Sequence, residues 1–333
     1  GNRITSSDLK YADCLITRTR TRCDRSLLEG TKIRLIASAT IGFDHIDTDY
    51  CRSAGIKWTN APGCNASSVQ QYLVSTLLYL ARHMDFQLGD LTLGVIGVGN
   101  VGSLVSQAAE VMGLRVLLND PPLQRAEKSK RFTDLEQLLE EANIITLHVP
   151  LNRGGKDNTY RMVDRAFLDR IRKGTILINT SRGEVVREDD LLEGIRRERV
   201  SGVVLDVFDH EPDIDRDLLE AVTLGTPHIA GYSLDGKAGG TTMAVRAVSR
   251  FFQLGKDEWS PGFIPPPSQQ VILADATGQS FEQLLWEVYR QTYDVTGDDR
   301  KLKSDPETFE RLRGEYPPRR EPPPLATLNS PAE

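Results

Sequence analysis

Residues 92–122, TLGVIGVGNVGSLVSQAAEVMGLRVLLNDPP, decide how the rest of the chain is read. An apolar run from Thr92 to Ile96 enters Gly97-Val98-Gly99-Asn100-Val101-Gly102, and a helical pattern follows to Met112, stopped by Gly113. In a strand–turn–helix with this GxGxxG spacing, Gly97 permits the tight bend and Gly99 lets the backbone approach a pyrophosphate. Gly102 lets the helix lie close on the strand. The anion then sits at the helix N-terminus, beside Asn100 and Val101, where unpaired N–H groups and the helix dipole favour it. A second apolar run, Arg115 to Leu118, ends at Asn119-Asp120-Pro121. Asp120 therefore stands where a carboxylate accepts from both ribose hydroxyls, and a 2′-phosphate would meet its charge; the spacing predicts NAD over NADP. A glycine-rich turn without a ligand is the plainer reading, but strand, helix and acid all fall in place.

At 333 residues the chain is long enough for two cores. A net charge of −6 and a pI near 5.6 give no electrostatic reason to expect nucleic acid. No apolar run approaches the length of a membrane span, and GNRITSSDLKYADCLITRT at the start lacks a signal-type apolar core, so a cytoplasmic protein is expected. Cys14, Cys23, Cys51 and Cys64 show no metal-ligand spacing; they read as reduced thiols, and no metal is expected.

Before the dinucleotide unit, short strands are expected in 12–17, running into Arg18, Arg20 and Arg22, in 33–38, and in 56–59. Their alternation with helical stretches predicts a parallel sheet. The arginines read as a solvated edge or, at the end of a strand, as an anion site. Apolar residues at Val69, Tyr72, Leu73, Thr76, Leu77 and Leu80 predict a helix from Ser67 to Met84, long enough to bridge two domains. After the dinucleotide turn come a helix through 135–141, a strand from 143 to 148, a helix near 165–171, a strand from 175 to 179, a helix at 191–197 and a strand at 203–207. Residues 227–231 open the next crossing, and a helix is expected over 239–255. WSPGFIPPPSQQ (259–270) reads as a proline-rich linker, Phe281 to Tyr289 as one amphipathic helix, and PPRREPPPLATLNSPAE (317–333) as disordered.

Arg182 in INTSRGEVV, Glu211 in LDVFDHEPD and His228 in TPHIAGYS each follow a predicted strand, and parallel strands would bring all three to the carboxyl edge. Oxidising a 2-hydroxy acid needs this set. Arg182 can hold the carboxylate with paired hydrogen bonds. His228 can take the hydroxyl proton, and Glu211 can fix its tautomer and stabilise its charged form. Alone, Arg182 could pin a loop, Glu211 cap a turn and His228 be structural; together, after a dinucleotide turn, they point to catalysis. His148 reads as a strand residue near the cofactor and His210 as a solvated neighbour of Glu211. GYSLDGKAGGTT (231–242) reads as an anion cradle, with Lys237 as point charge and Thr241 and Thr242 at a helix start, or equally as a flexible loop.

GVGNVG, NDPP, LHVPL, INTSRGEVV, LDVFDHEPD and PHIAGYSLDGKAGGTT together resemble the D-isomer-specific 2-hydroxyacid dehydrogenases. The last stretch, with YDVTGDDRKL (293–302), narrows the resemblance to members that oxidise 4-phospho-D-erythronate with NAD in pyridoxal phosphate biosynthesis. It implies an α/β fold: a doubly wound Rossmann-type NAD domain, a smaller flavodoxin-like substrate domain and a short C-terminal dimerisation segment. The expected boundaries are 1–66 for the substrate domain, apparently without its first βα unit, 67–231 for the NAD domain, 232–256 for the return to the substrate domain, and 257–333 for the dimerisation segment with a disordered tail. The resemblance implies catalysis by Arg182, Glu211 and His228. It implies cofactor contacts at Asp120, His148, Val149, Pro150, Thr180, Ser181, Asp206 and Gly231 beside the glycine turn, and substrate contacts at Thr19, Thr40 and Tyr232. Arg18 and Lys237 gain weight as phosphate ligands. The family's glutamate in the long helix is Gln71 here. A homodimer acting on a small phosphorylated acid, without nucleic acid or membrane, is expected. The alternatives are phosphoglycerate dehydrogenase or glyoxylate/hydroxypyruvate reductase activity, or an NAD-sensing corepressor-like binding protein.

Overall fold

The computed structural model describes residues 4–267 and 271–321, which fall into two compact units. The first takes in 4–68, 232–267 and 319–321, the second 69–231 and 271–318.

In the first unit β1 (Cys14–Thr17), β2 (Leu35–Ser38) and β3 (Lys57–Thr59) pair in parallel in that order. β2 is buried on both faces. Leu35 and Ala37 pack with Ala244 and Val248 of the Leu234–Phe252 helix, while Ile36 packs with Leu15, Leu27, Leu28 and Ile46. This period-two division is why β2 reads as an unbroken apolar run. Gly240 lets the helix approach the sheet, since a Cβ there would stand 2.3 Å from the Ala39 carbonyl oxygen.

The second unit holds β4 (Thr92–Ile96), β5 (Arg115–Asn119), β6 (Ile144–Leu147), β7 (Thr175–Asn179), β8 (Val200–Leu205) and β9 (Leu224–Gly225), all parallel in the order β5-β4-β6-β7-β8-β9. A parallel bridge from Leu118 to Phe132 continues the sheet beyond β5. The chain winds outward in both directions from β4 and β6, so the crevice that suits a ligand lies past the carboxyl ends of those two strands. Leu138, Leu139, Phe167, Leu168, Leu218 and Leu219 from the covering helices bury the apolar strands.

The differences from expectation lie mainly at the carboxyl end. The helix expected over 239–255 begins at Leu234, capped by the Ser233 hydroxyl, which accepts from the Gly236 amide at 2.8 Å. Thr241 and Thr242 therefore lie inside the helix, donating to the Lys237 and Ala238 carbonyls at 2.8 Å. The glycines of this stretch are sites of close packing rather than a loop. Residues 227–231, expected to open the next crossing, form bends and a turn. Beyond the helix expected over Phe281 to Tyr289, which spans Phe281–Thr292, come Val295–Ser304 and Phe309–Gly314, whose Leu302 and Phe309 enter the second unit's core. Their sparse apolar content hid them. Arg319–Glu321, read as disordered from composition, are hydrogen-bonded in the first unit; residues 322–333 lie outside the described residues.

Candidate functional site

In the second unit, the loops at the carboxyl ends of β4, β5, β6, β7 and β8 and the turn after β9 carry the candidates. At the end of β4, Gly97 has φ +90° and turns against the His148 carbonyl; a Cβ would stand 2.6 Å from that oxygen and 3.0 Å from Val149 Cγ1. A Cβ on Gly102 would come 2.0 Å from the Gly97 oxygen, whereas one on Gly99 would meet nothing within 4 Å. Gly99 caps the Asn100–Val111 helix without a side-chain hydrogen bond. An open, uncapped helix N-terminus of this kind seats a pyrophosphate, so Gly97, Gly99, Asn100, Val101 and Gly102 fit a dinucleotide. Asp120 ends β5, and its two oxygens accept from the Val98 and Leu123 amides at 2.9 Å each. The same carboxylate that suits a ribose thus also braces the glycine turn.

His148 follows β6 and is half-buried, and desolvation pulls its imidazole down to about 3, so it is neutral. Its Nε2 pairs with the Thr146 hydroxyl at 3.0 Å and its Nδ1 faces the Thr180 hydroxyl at 3.4 Å. Half-buried and hydrogen-bonded through its ring, it forms a wall rather than a proton carrier. Val149 and Pro150 follow it.

At the end of β7 the buried Asn179 shapes the next loop. Its Oδ1 accepts from the Ser181 amide and hydroxyl at 3.0 and 2.8 Å, and its Nδ2 donates to the Arg182 carbonyl at 2.8 Å. Gly183 then presses on the loop after β8, where a Cβ would lie 2.0 Å from Phe208 C and O. This close approach brings Arg182 into one cavity of about 380 Å3 with Glu211 and His228.

Asp206, fully buried after β8, builds the turn that presents His228. Its Oδ1 accepts from the Thr226 hydroxyl at 2.7 Å and the Ile229 amide at 2.8 Å, its Oδ2 from the Ala230 amide at 2.9 Å, and its carbonyl from the His228 amide at 2.7 Å. The Tyr72 hydroxyl lies 2.8 Å from Thr226 Oγ1, extending the chain into the long helix. Burial pushes the Asp206 carboxyl up to about 6, against the pull of His228 and these hydrogen bonds. Asp206, expected as a cofactor contact, has both carboxylate oxygens engaged in the turn that carries His228, and Gly231 closes that turn.

His228 Nδ1 and Glu211 Oε2 are 2.7 Å apart. The second Glu211 oxygen accepts from the Phe208 amide at 3.1 Å, and Arg313 NH1 stands 3.4 Å from Oε2. Burial alone would raise the Glu211 carboxyl, but His228, Arg313 and the Phe208 amide outweigh it and the net shift is downward. An ionised carboxylate only accepts, so His228 Nδ1 carries a proton and donates it in this hydrogen bond. His210 is, as expected, solvated, its side chain 80% exposed.

Sequence reasoning missed Asn179 and Arg313, and also Arg153, Tyr160, Arg161 and Glu184, which line the same cavity. Arg153 packs 4.2 Å from the Tyr160 ring centroid. Arg153, Tyr160 and Arg161 lie in a strand-free loop that gave no periodic signal. In the first unit, the Thr40 hydroxyl donates to the Gly42 carbonyl at 3.1 Å and Lys237 Nζ lies 4.9 Å from the Tyr232 ring centroid. Arg18 donates to the Lys237 carbonyl at 2.9 Å, and Thr19 follows it in the loop after β1. Among the described residues no cluster of three or more His, Cys, Asp or Glu could hold a metal, and no helix is long and apolar enough to cross a membrane.

Residues 71–230 match the model of the D-isomer specific 2-hydroxyacid dehydrogenase NAD-binding domain, and residues 263–327 match a domain of unknown function. The chain is 49% identical to an erythronate-4-phosphate dehydrogenase of Bacteroides fragilis over 321 residues, covering 96% of this chain and 89% of that protein. It is 42% identical to the erythronate-4-phosphate dehydrogenase of Salinibacter ruber over 96% of this chain and 86% of that one. Among solved structures, a D-lactate dehydrogenase of Aquifex aeolicus complexed with NAD and lactic acid superposes with a TM-score of 0.66 at 30% identity, covering 77% of this chain and 87% of that one.

Proposed function

The chain belongs to the erythronate-4-phosphate dehydrogenase family of D-isomer-specific 2-hydroxyacid dehydrogenases, and from that membership we propose that it oxidises 4-phospho-D-erythronate to (R)-3-hydroxy-2-oxo-4-phosphooxybutanoate in pyridoxal 5′-phosphate biosynthesis. The observation that carries the reading is the 2.7 Å pair of His228 and Glu211, sharing a cavity with Arg182.

NAD, when bound, would accept the hydride that leaves C2, the carbon beside the substrate carboxylate. Every other demand of the reaction falls on side chains. His228 Nε2 takes the hydroxyl proton, and Glu211, held ionised, stabilises the imidazolium that results. Arg182 binds the substrate carboxylate through paired N–H groups and polarises the reacting oxygen. Asp206 and Asn179 position the two loops without touching the reaction. The uncapped helix end at Gly99 holds the pyrophosphate, and Asp120 accepts from the ribose. In the first unit, family membership supports Arg18, Thr19, Thr40, Tyr232 and Lys237 as substrate contacts, with Arg18 and Lys237 assigned to the phosphate.

The test is single-turnover NADH formation with 4-phosphoerythronate, 3-phosphoglycerate and erythronate, for the wild type and His228→Ala. Preference for 4-phosphoerythronate, lost in the variant, is the expected result. Equal turnover of all three would refute the substrate, and absence of turnover by an NAD-bound wild type would refute the enzyme.

A further inference from the structure

The segment matched by the domain of unknown function reaches the pair formed by His228 and Glu211. Its Phe309–Gly314 helix is fastened to the second unit by Phe309, which is fully buried and meets the Phe208 ring edge-on with centroids 6.3 Å apart. Phe208 is the residue whose amide donates to Glu211 Oε1 at 3.1 Å. Arg313 follows about one turn along the same helix, and its NH1 stands 3.4 Å from Glu211 Oε2. That oxygen is the one 2.7 Å from His228 Nδ1. Both side chains are largely withdrawn from water, Arg313 18% exposed and Glu211 15%.

One carboxylate oxygen is thus shared by an imidazole and by a guanidinium that keeps its charge at every working pH. With little water between them, this fixed charge acts on both members of the pair. It favours the ionised form of Glu211 and opposes the positive charge that His228 gains with a second proton. Other charges face the pair from neighbouring elements. The Asp206 carbonyl holds the His228 amide, and Arg182 and Glu184 come from the loop after β7. Arg153 and Arg161 come from the loop after β6, and Asp209 and His210 from the loop of Glu211 itself. These groups are common to every Arg313 variant, so a change on altering Arg313 reports its own charge.

We infer that Arg313 is a positioning residue that acts through Glu211, holding the carboxylate and weakening the grip of His228 on a second proton, so that the C-terminal segment completes the proton-transfer pair. For the origin of that proton, the substrate hydroxyl, this rests on the functional reading above.

The experiment uses the full chain as wild type, Arg313→Gln, Arg313→Lys and Arg313→Met. The pH profile of kcat/KM for 4-phosphoerythronate is measured beside an NMR titration of ring-labelled histidines, with the His228 signal assigned by its absence from His228→Ala. Loss of a cation at this distance should move both the acid limb of the profile and the His228 titration upward by ~1 pH unit in Arg313→Gln. On the acid side kcat/KM then falls ~10-fold, and it returns toward the wild-type value as pH rises. Arg313→Lys keeps the charge and should stay close to wild type in both measurements. An unmoved His228 titration in Arg313→Gln overturns the inference, as does a shift in Arg313→Lys as large as that in Arg313→Gln. Should Arg313→Gln fail to fold, Arg313→Met, which fills the place of the buried stem with an apolar chain, decides by the same criteria. A His228 titration that moves while the wild type oxidises no 4-phosphoerythronate, or while the acid limb stays in place, refutes the functional reading and leaves the role of Arg313 standing.

Discussion

Asp206 holds His228 by the backbone: the His228 amide donates to the Asp206 carbonyl at 2.7 Å, and His228 sits at φ +55°, in the left-handed region that side chains rarely adopt. The Asp206 carboxylate fixes the following two amides and the Thr226 hydroxyl, so one buried acid determines where the imidazole points. In Asp206→Asn one oxygen is replaced by an NH2 group that cannot accept from the Ala230 amide. An orphaned buried N–H costs ~1–3 kcal/mol, and a displaced base loses rate. We expect kcat to fall ~10- to 100-fold with KM for NAD and substrate nearly unchanged, read by steady-state kinetics. A parallel rise in both KM values would show that Asp206 acts on binding instead.

Gly99 and Gly102 make a matched pair for the cofactor site. A methyl group on Gly99 enters open space at a φ of −75° that alanine tolerates, whereas one on Gly102 strikes the Gly97 oxygen at 2.0 Å. Gly99→Ala should therefore leave the melting temperature within about 1 °C of wild type while weakening NAD ~10-fold or more, because the methyl occupies the pyrophosphate's approach. Gly102→Ala should lower the melting temperature itself, since backbone must move to admit the methyl. Thermal melts with and without NAD separate the two effects.

How much of this was legible in the sequence follows from how local each signal was. The glycine turn, Asp120 and the strand-end positions of Arg182, Glu211 and His228 were readable because each follows an apolar strand at fixed spacing. The role of Asp206 was not. Its partners Thr226, Ile229 and Ala230 lie about twenty residues on, and a satisfied buried acid looks in sequence like any strand-end acid. Arg313 is more distant still, 102 positions from Glu211, on a helix too polar for its periodicity to show. The Ser233 cap lay in plain sight in GYSLDG, but the glycines behind it suggested a loop; packing against Ala39, a tertiary effect, is what favours helix there.

Gly183 tests whether the cavity lined by Arg182, Glu211 and His228 depends on loop-to-loop contact. A methyl there would lie 2.0 Å from Phe208 C and O and 2.3 Å from the Asp209 nitrogen, all backbone atoms that cannot rotate away. Gly183→Ala must push the Arg182 loop from the loop carrying Glu211. We expect kcat/KM to fall ~100-fold with a stability loss of ~1–3 kcal/mol by chemical denaturation, while NAD binding measured by fluorescence persists. Retained activity in a destabilised variant would mean that the two loops need no fixed spacing.

Glu188 gives the pH dependence. It lies beneath the same loop, accepting from the Asp209 amide at 2.8 Å, and burial, with like charge from Asp209, Asp215 and Asp189, raises its carboxyl to about 7 despite that hydrogen bond. A carboxyl raised on folding binds its proton more tightly in the native state, so its contribution to stability is present below about pH 4.5 and is lost as pH rises through 7. Glutamine keeps the acceptor and removes the titration. Glu188→Gln should thus match the wild type near pH 4.5 and exceed it at pH 8 by ~2 kcal/mol, the full shift being discounted for partial exposure. Denaturant melts at the two pH values check this: a difference independent of pH would place the origin of any stability change in packing, and a variant less stable at pH 8 would show that the ionised Glu188 is stabilised in the fold by charges that outweigh its burial.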